Sequence, residues 1–313
     1  GEPPPSNGDI RVRKQALLIA GPTASGKSAL ALKQAEAHDA LVVNADSMQV
    51  YRDLDVLSAR PPAEDLVRAP HRLYGHVDAA RNYSVAAWLD DIRQVLQEAD
   101  EHNRALVIVG GTGLYFRALL GGLSTVPEIP AEIRNRWRDM AGDAEPGELH
   151  EALRSRDPEM AHRLEPGDTQ RLTRALEVID ATGRSLLSWQ REPGRALLPA
   201  DTPKVVLAPP RPWLHARIAE RFRQMVTAGG IEEATALASR TLDPTLPAMK
   251  AIGVRELAEV ASGSSTLDEA IEASIVATRR YAKRQETFFR GQLGDWPRID
   301  PSDRVAVAGK ILP

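Results

Sequence analysis

The stretch that decides the fold spans residues 16–28 and reads Ala16-Leu17-Leu18-Ile19-Ala20-Gly21-Pro22-Thr23-Ala24-Ser25-Gly26-Lys27-Ser28. Its apolar run ends at Gly21, and four residues later Gly-Lys-Ser opens a helical pattern. A strand that enters a glycine-containing loop and then a helix is the arrangement of a P-loop. The stretch therefore predicts an α/β fold with a P-loop NTPase-like core.

A P-loop is an anion site by construction. Its glycines let the backbone approach a phosphate, and successive N–H groups and the helix N-terminus supply partial positive charge. Lys27 adds a full charge, and the Ser28 hydroxyl is suited to Mg²⁺. The pattern predicts that a di- or triphosphate binds here, without saying which. The predicted diphosphate-binding residues are Gly21, Pro22, Thr23, Ala24, Ser25, Gly26, Lys27 and Ser28, with Ser28 also the predicted metal ligand.

Composition excludes several other classes. The chain has 313 residues, 42% of them hydrophobic, and a net charge of −3. It has no cysteine, which excludes a disulfide scaffold and Cys-ligated metal sites. No apolar run approaches the roughly 20 residues of a membrane span, and residues 1–15 resemble a disordered tail rather than a signal peptide. We expect a cytoplasmic protein that needs neither a membrane nor an obligate protein partner.

Two further strand ends should lie beside the P-loop. The run Ala40–Asn44 predicts a buried strand followed by Asp46, and Ala105–Val109 predicts another followed by Gly110-Gly111-Thr112-Gly113. Ligands of open α/β sheets bind beyond the carboxyl ends of the strands. Asp46 is therefore either a site residue or an ordinary turn or cap residue, and the glycines either a site element or a tight turn. Many P-loop ATPases have a Mg²⁺-binding acid at such a strand end, where this chain has glycines.

The composition and the hydrophobic pattern of the chain change after about Leu123. Helical, charge-rich and proline-punctuated segments follow, and the next strand is predicted at Lys204–Ala208. We expect 16–122 and 203–313 to form the catalytic core, with a mostly parallel sheet flanked by helices, and 123–202 to be a helical insertion domain. We also expect a strand at 71–78, a helix from Trp213 that ends at Gly229-Gly230, and a long basic helix at about 266–290.

Six ordered motifs resemble those of the bacterial tRNA dimethylallyltransferases. The resemblance covers about residues 16–290, and only the P-loop is specific by itself. The motifs are Gly21–Ser28, Asp46-Ser47-Met48-Gln49-Val50-Tyr51, Pro70-His71, Gly110-Gly111-Thr112 with Leu114-Tyr115, Asp168 with Gln170–Glu177, and Ala282-Lys283-Arg284-Gln285.

The resemblance implies transfer of a dimethylallyl group from dimethylallyl diphosphate to N6 of the adenosine 3′ to the anticodon of tRNA, with Mg²⁺ as cofactor. The P-loop would then hold a leaving diphosphate, which would explain why no acid follows the strand 105–109. The implied catalytic residues are Asp46 as base, and Thr23 and Arg221 as stabilisers of the diphosphate.

The resemblance also implies a set of residues near the anticodon stem-loop of tRNA. The basic C-terminal helix would follow the phosphate backbone, and the enzyme would be a monomer. The implied tRNA-binding residues are Asp46, Ser47, Met48, Gln49, Thr112, Arg134, Gln170, Arg171, Leu172, Thr173, Arg174, Lys250, Ala251, Ile252, Gly253, Val254, Arg255, Lys283 and Arg284.

Two loops depart from the family pattern. Leu57 stands where the family has glycine, and Asp78-Ala79 replaces Asp-Pro. Three alternatives stay open: an adenylate isopentenyltransferase acting on free AMP or ATP, a small-molecule or nucleotide kinase on the same core, and an RNA-binding P-loop protein without catalysis. The helical insertion and the basic helices favour tRNA over a free nucleotide.

Overall fold

The computed structural model describes residues 15–123, 126–192 and 194–304, so the predicted tail lies, apart from Gln15, outside the described residues. A six-stranded sheet has the order β3-β2-β4-β1-β5-β6, and every pair is parallel. The strands are β1 (Ala16–Ala20), β2 (Leu41–Asn44), β3 (His71–Arg72), β4 (Leu106–Gly110), β5 (Lys204–Leu207) and β6 (Arg298–Ile299). The α/β prediction is confirmed.

Helices occupy most of the remaining chain. They are α1 (Lys27–His38), α2 (Ala63–Leu66), α3 (Val85–Glu101), α4 (Gly113–Leu119), α5 (Ala131–Asp143), α6 (Glu148–Arg156), α7 (Pro158–Arg163), α8 (Thr169–Thr182), α9 (Leu186–Arg191), α10 (Arg211–Met225), α11 (Ile231–Ser239), α12 (Val254–Ala261) and α13 (Leu267–Gln292). A π-type turn (Val226–Gly230) joins α10 to α11, and a 3₁₀ turn (Pro247–Lys250) precedes α12. Among these helices none combines the length and apolar character needed to cross a membrane.

The strand register brings three strand ends together. Ala20 at the end of β1 is opposite Gly110, and Asn44 at the end of β2 is opposite Val109. Because the strands are parallel, the segments that follow them leave the sheet at the same edge. The P-loop, Asp46 and the glycine turn are therefore neighbours, as their positions in the sequence predicted.

The strands of the sheet form the centre of a hydrophobic core. Every residue of β1 and β4 is buried, and α1 packs on the sheet through Leu30, Ala31 and Ala35. Strands buried on both faces are continuous apolar runs in sequence, which is why β1 and β4 are recognisable without a period of two.

The chain forms two compact units. Of the described residues, one unit comprises those up to Tyr83, Asp90–Arg117 and those from Leu197 onward, and the other comprises Ser84–Leu89 and those between Ala118 and Ala196. The second unit is helical and has a core of its own, built from Trp137, Leu149, Leu153, Met160, Ala161, Leu172, Ala175, Leu176 and Leu187. Its bounds differ by a few residues from the predicted 123–202.

One prediction of local structure is wrong and another is confirmed. The strand at 71–78 is only two residues long, and Val77 forms an isolated parallel bridge with Tyr51. Gly229-Gly230 does end the helix that begins near Trp213, because Gly229 leaves the helical conformation and a separate helix, α11, begins at Ile231. Gly229 has φ 108°, and a Cβ at Gly230 would lie 2.7 Å from the Met225 carbonyl oxygen. The glycines therefore allow the sharp kink at which one helix ends and the next begins, as the sequence predicted.

Candidate active site

The P-loop turns sharply between β1 and α1. Ala24 and Gly26 have positive φ angles of 64° and 87°, and the Ser25 N–H donates to the Pro22 carbonyl at 3.2 Å. From α10, the Arg217 Nε donates to the Ala24 carbonyl at 2.9 Å. These contacts fix the loop from outside and leave the start of α1, with its unpaired N–H groups, available to an anion.

Lys27 is buried inside the loop. It is 7% exposed, and its Nζ donates to the Pro22 carbonyl at 3.2 Å. Burial lowers the pKa of Lys27 to about 8, an effect opposed by the nearby charge of Asp46 and reinforced by Arg221. A bound anion would stabilise the charged form of such a desolvated lysine and so raise its pKa again.

Asp46 is oriented by its own loop. Its N–H donates to the Asn44 Oδ1 at 2.8 Å, and its Oδ1 accepts from the N–H groups of Met48 at 2.8 Å and Gln49 at 3.3 Å. The Asp46 Oδ2 has no hydrogen-bond partner within the described part of the chain. Asp46 is thus a turn residue through its Oδ1, and its Oδ2 stays available to a ligand.

The glycine turn after β4 closes against the Asp46 loop. The Ser47 N–H donates to the Thr112 Oγ1 at 2.9 Å, and the Thr112 N–H donates to the Ala45 carbonyl at 3.2 Å. A Cβ at Gly110 would lie 2.1 Å from that same carbonyl oxygen. Glycine is required here because the backbone of the turn contacts the backbone of the loop after β2. The turn therefore supports the Asp46 loop in addition to reversing the chain.

A cavity of about 300 Å³ opens at this edge of the sheet. Its lining combines the polar ends of the strands with an apolar wall from α10 and the loop before α2. The lining residues are Thr23, Ala24, Asp46, Ser47, Met48, Leu57, Ser58, Ile218, Arg221, Phe222, Met225, Lys250, Ala251, Ile252, Thr278, Tyr281 and Arg284. Asp46 is the only acid among them, against the cations Arg221, Lys250 and Arg284.

Cations and uncharged hydroxyls surround Asp46. Burial lowers the pKa of the Arg221 guanidinium, and Asp46 opposes that shift, so the two side chains interact. Burial and the Asp46 charge raise the pKa of the hydroxyls of Tyr74, Tyr115 and Tyr281. These tyrosines are therefore neutral neighbours, and Asp46 is a single carboxylate among cations and uncharged side chains.

The loops that depart from the family pattern are anchored by α11 and the segment after it. Glu233 accepts from the N–H groups of Asp55 at 2.6 Å, Val56 at 2.9 Å and Leu57 at 2.7 Å. Arg240 pairs with Asp53 at 2.7 Å and Asp78 at 3.0 Å. The larger Leu57 fits because two glycines lie against it: Cβ atoms at Gly253 and Gly230 would be 3.2 and 3.3 Å from its Cδ2.

Several residues that the resemblance assigned to tRNA do line the cavity. They are Asp46, Ser47, Met48, Lys250, Ala251, Ile252 and Arg284. Gln49 and Val254 are buried: Gln49 donates through its amide to the carbonyls of Ser58 at 2.9 Å and Ala59 at 3.0 Å, and Val254 is 2% exposed. Their side chains support the loops from within. Gly253, with φ 95°, starts α12, and Arg255 is exposed beyond it.

In the helical unit, the predicted residues cluster at the start of α8 and on α5. The Asp168 side chain caps α8 by accepting from the Arg171 N–H at 3.3 Å, and Gln170, Arg171 and Thr173 border the same turn. Arg134 and Arg174 both interact with the buried carboxyl of Glu177, whose pKa is raised by burial. Leu172, another of the implied tRNA contacts, is fully buried, and its side chain packs in the helical core.

Lys283 lies in a different cavity from Arg284. A second cavity, of about 160 Å³, is lined by residues of α10 and α13: Arg211, Leu214, His215, Arg279, Arg280, Ala282, Lys283 and Glu286. Burial and the charges of Arg279 and Arg211 lower the pKa of His215. The basic stretch of α13 is thus divided between two cavities. The sequence does not show which basic residue belongs to which cavity.

Sequence reasoning missed part of the lining. Leu57, Ile218, Phe222, Met225, Thr278 and Tyr281 were not predicted as site residues, nor was Arg217. Most of them come from α10 and α13, whose apolar positions have the helical spacing of ordinary core residues. The available signal was the motif around Lys283 and Arg284, one turn of helix after Tyr281.

Comparisons with known proteins agree with this geometry. The family model described as IPP transferase matches residues 49–292. A tRNA dimethylallyltransferase of Mesorhizobium japonicum is 52% identical over 307 residues, which cover 97% of this chain and 95% of the relative, and one of Agrobacterium fabrum is 51% identical over 91% of this chain and 97% of its own length.

The solved structures to which this chain is similar also include tRNA prenyltransferases. A tRNA isopentenylpyrophosphate transferase of Bacillus halodurans has a TM-score of 0.62 and 32% identity and covers 92% of this chain and 90% of its own. A eukaryotic dimethylallyltransferase acting on tRNA has a TM-score of 0.76 and 25% identity and covers 93% of this chain and 75% of its own. With a family model that matches most of its length and relatives at about half identity, the chain belongs to the IPP transferase family.

Proposed function

We propose that this protein is a tRNA dimethylallyltransferase that transfers the dimethylallyl group of dimethylallyl diphosphate to N6 of the adenosine 3′ to the anticodon. One observation carries the proposal. The Asp46 Oδ2, unpartnered in the described residues, belongs to the only acid of a cavity that combines a P-loop, several cations and an apolar wall. A diphosphate with a short hydrocarbon tail and an acceptor that must lose a proton fit that combination.

The donor's diphosphate binds at the P-loop. Its oxygens accept from loop N–H groups and are neutralised by Lys27 and Arg221, the two cations that interact with each other and with Asp46. During transfer the bond between C1 and the bridging oxygen breaks, and its electron pair leaves with the diphosphate. Preorganised donors at that oxygen stabilise the charge that develops there.

The dimethylallyl tail lies against the apolar wall. Leu57, Ile218, Phe222 and Met225 contribute this wall, and they offer the tail no hydrogen-bonding group except backbone. The allylic carbon tolerates positive charge as the leaving group departs. An apolar surrounding also excludes water, which would otherwise compete as the acceptor.

The acceptor amine needs a base. The lone pair of adenine N6 is delocalised into the ring, so the amine is a weak nucleophile until its proton is removed. As the N6–C1 bond forms, the Asp46 Oδ2 takes one N6 proton, while the Oδ1 stays bonded to the Met48 N–H and keeps the carboxylate oriented. A positioned base of this kind contributes about 10²–10⁴-fold to the rate.

Mg²⁺ fits the residues present. The Ser28 hydroxyl is exposed at the first turn of α1, and among the described residues no cluster of three or more His, Asp or Glu side chains offers an all-protein cage. Mg²⁺ commonly uses one or two protein ligands together with waters and substrate phosphates, so Ser28 and the diphosphate would hold it. When bound, the ion supplies charge neutralisation to the leaving diphosphate.

The test is a transfer assay. The protein is incubated with dimethylallyl diphosphate, Mg²⁺ and an anticodon stem-loop that has adenosine 3′ to the anticodon, and the RNA is analysed by mass spectrometry. We expect one prenyl adduct per stem-loop, and none when that adenosine is replaced by guanosine. An adduct on AMP without one on RNA would assign the free-nucleotide reaction. Phosphate transfer from ATP would assign a kinase. Because its acceptor is tRNA, we propose that the enzyme acts in the cytoplasm.

A further inference from the structure

A single buried amide joins α13 to both glycine-containing turns of the site. Gln285 is 6% exposed, its Oε1 accepts from the Thr23 N–H at 2.9 Å, and its Nε2 donates to the Gly111 carbonyl at 3.1 Å. The two partners fix the orientation of the amide, because a backbone N–H can only donate and a carbonyl can only accept. One side chain thus spans the P-loop and the turn after β4.

The packing around this amide leaves no space for adjustment. A Cβ at Gly111 would lie 2.3 Å from the Gln285 Nε2, and one at Gly113 would lie 2.2 Å from the Phe288 Cδ1. The helix therefore rests directly on the glycine turn. Tyr281 and Arg284, which precede Gln285 by one turn or less, line the catalytic cavity. Helix α13 is consequently a fixed wall against which the P-loop is positioned.

Thr23 is the residue at which this contact matters most. It lies in the variable part of the P-loop, it lines the cavity, and its N–H is used by Gln285. With that N–H engaged, the peptide plane before Thr23 has one orientation. The direction of the Thr23 side chain and of the following N–H groups is then set before any ligand arrives. Preorganisation of this kind lowers the cost of binding an anion.

We propose that Gln285 is a positioning residue for the diphosphate cradle: by bridging the Thr23 N–H and the Gly111 carbonyl, it holds the P-loop in the conformation that binds the diphosphate of the donor and of the product. This inference rests on the proposed function for the identity of the donor. Its core, binding of a diphosphate, can be measured without any transfer reaction.

The experiment uses two variants and one matched control in the full chain. Gln285→Met keeps the approximate shape and removes both hydrogen bonds. Gln285→Glu keeps an acceptor for Thr23, loses the donor to Gly111 and adds a negative charge beside the anion site. Gln292→Met makes the same change at an exposed position in the last turn of α13. The readouts are pyrophosphate affinity by calorimetry in the presence of Mg²⁺, KM for dimethylallyl diphosphate, KM for the RNA, and thermal unfolding.

For Gln285→Met we expect pyrophosphate affinity to fall about tenfold and KM for the donor to rise by a similar factor, the scale of a lost pair of buried hydrogen bonds. Gln285→Glu should bind pyrophosphate more weakly still because of charge repulsion. In both variants KM for the RNA should change less than twofold. Gln292→Met should match the unmodified protein in every readout.

Two results would overturn the proposal. One is unchanged pyrophosphate affinity in both variants. The other is a loss that affects pyrophosphate and RNA equally and follows a lowered unfolding temperature, which would give Gln285 a packing role only. If Gln285→Met does not fold, Gln285→Leu, which removes the same two hydrogen bonds without adding charge, decides the question. A protein that binds pyrophosphate through Gln285 yet prenylates no RNA would contradict the proposed function and leave this inference standing.

Discussion

At the scale of single residues, Asp46 has two oxygens with two different surroundings. The Oδ1 organises the loop by accepting from Met48 and Gln49, whereas the Oδ2 faces no donor among the described residues. One residue thereby supports the fold and, in the proposed reaction, supplies the base. A substitution can separate the two roles only if it preserves the first.

Asp46→Asn makes that separation. The asparagine Oδ1 still accepts from the Met48 N–H, so the loop should keep its conformation, but the amide cannot take a proton from adenine N6. We expect kcat to fall by about 10²–10⁴-fold with little change in KM for the donor. Single-turnover assays with the stem-loop measure the effect. An unchanged rate would remove Asp46 from the role of base.

The lowered pKa of Lys27 leads us to expect that kcat/KM for the donor depends on pH. Burial lowers its pKa to about 8, so in the free enzyme the ammonium is present below pH 8 and is lost as the pH rises through that value. In the proposed reaction the diphosphate of the donor requires this ammonium, and its binding would stabilise the charged form of Lys27. We therefore expect kcat/KM for the donor to decrease above pH 8 with a slope approaching −1 on logarithmic axes. The decrease in kcat should begin at higher pH, because bound diphosphate raises the pKa.

The control for this profile is Lys27→Met, which should lose most of the affinity and also the inflection near pH 8. Pyrophosphate binding measured across the same pH range isolates the effect from the chemistry. A profile for kcat/KM that stays flat between pH 7 and pH 9.5 would contradict the assignment.

At the scale of elements, helix α11 controls a loop of the cavity. Glu233 accepts three successive N–H groups from residues 55–57, and Leu57 and Ser58 of the same loop line the cavity. Three donors to one carboxylate form a strong, charge-assisted anchor. The position of Leu57 thus depends on a residue that does not itself line the cavity.

Glu233→Gln weakens that anchor, because an amide offers one acceptor oxygen and turns an NH₂ toward backbone donors. We expect a loss of about 1–3 kcal/mol in the free energy of unfolding, and a higher KM for the donor. Denaturant titration and steady-state kinetics measure both. Glu232→Gln, at the adjacent exposed position, is the matched control and should change neither. Equal effects in the two variants would show that the anchor is unimportant.

At the scale of the whole molecule, charge is distributed unevenly although the net value is only −3. The second cavity brings Arg211, Arg279, Arg280 and Lys283 together against Glu286. A group of cations with a single acid is suited to phosphate contacts. We expect RNA affinity to depend strongly on salt even though the protein as a whole is acidic.

Lys283→Gln tests that expectation. It should reduce the slope of log K for the stem-loop against log[salt] by up to about 1, with kcat for bound RNA nearly unchanged. Arg93→Gln, a control on α3 where Arg93 pairs with Asp90 at 3.1 Å, should leave the slope as it is. Filter binding at several salt concentrations provides the measurement. Identical slopes in both variants and the unmodified protein would exclude Lys283 from the interface.

The sequence by itself determined the α/β class, the P-loop, the strands that carry Asp46 and the glycine turn, and the family. Those features depend on local patterns: continuous apolar runs, glycine spacing and short ordered motifs. It did not determine the apolar wall of the cavity, the anchor from Glu233 or the bridge from Gln285. Gln285 joins residues 262 and 174 positions away, and no local pattern encodes such a pairing.

Only the tertiary structure decided which side chains share a space. On α13 it placed Arg284 in the cavity that contains Asp46 and Lys283 in another, and it buried the side chains of Leu172 and Gln49. The physical reason is that a motif fixes residue types and spacing, whereas exposure and partners follow from how helices far apart in sequence pack on one edge of the sheet.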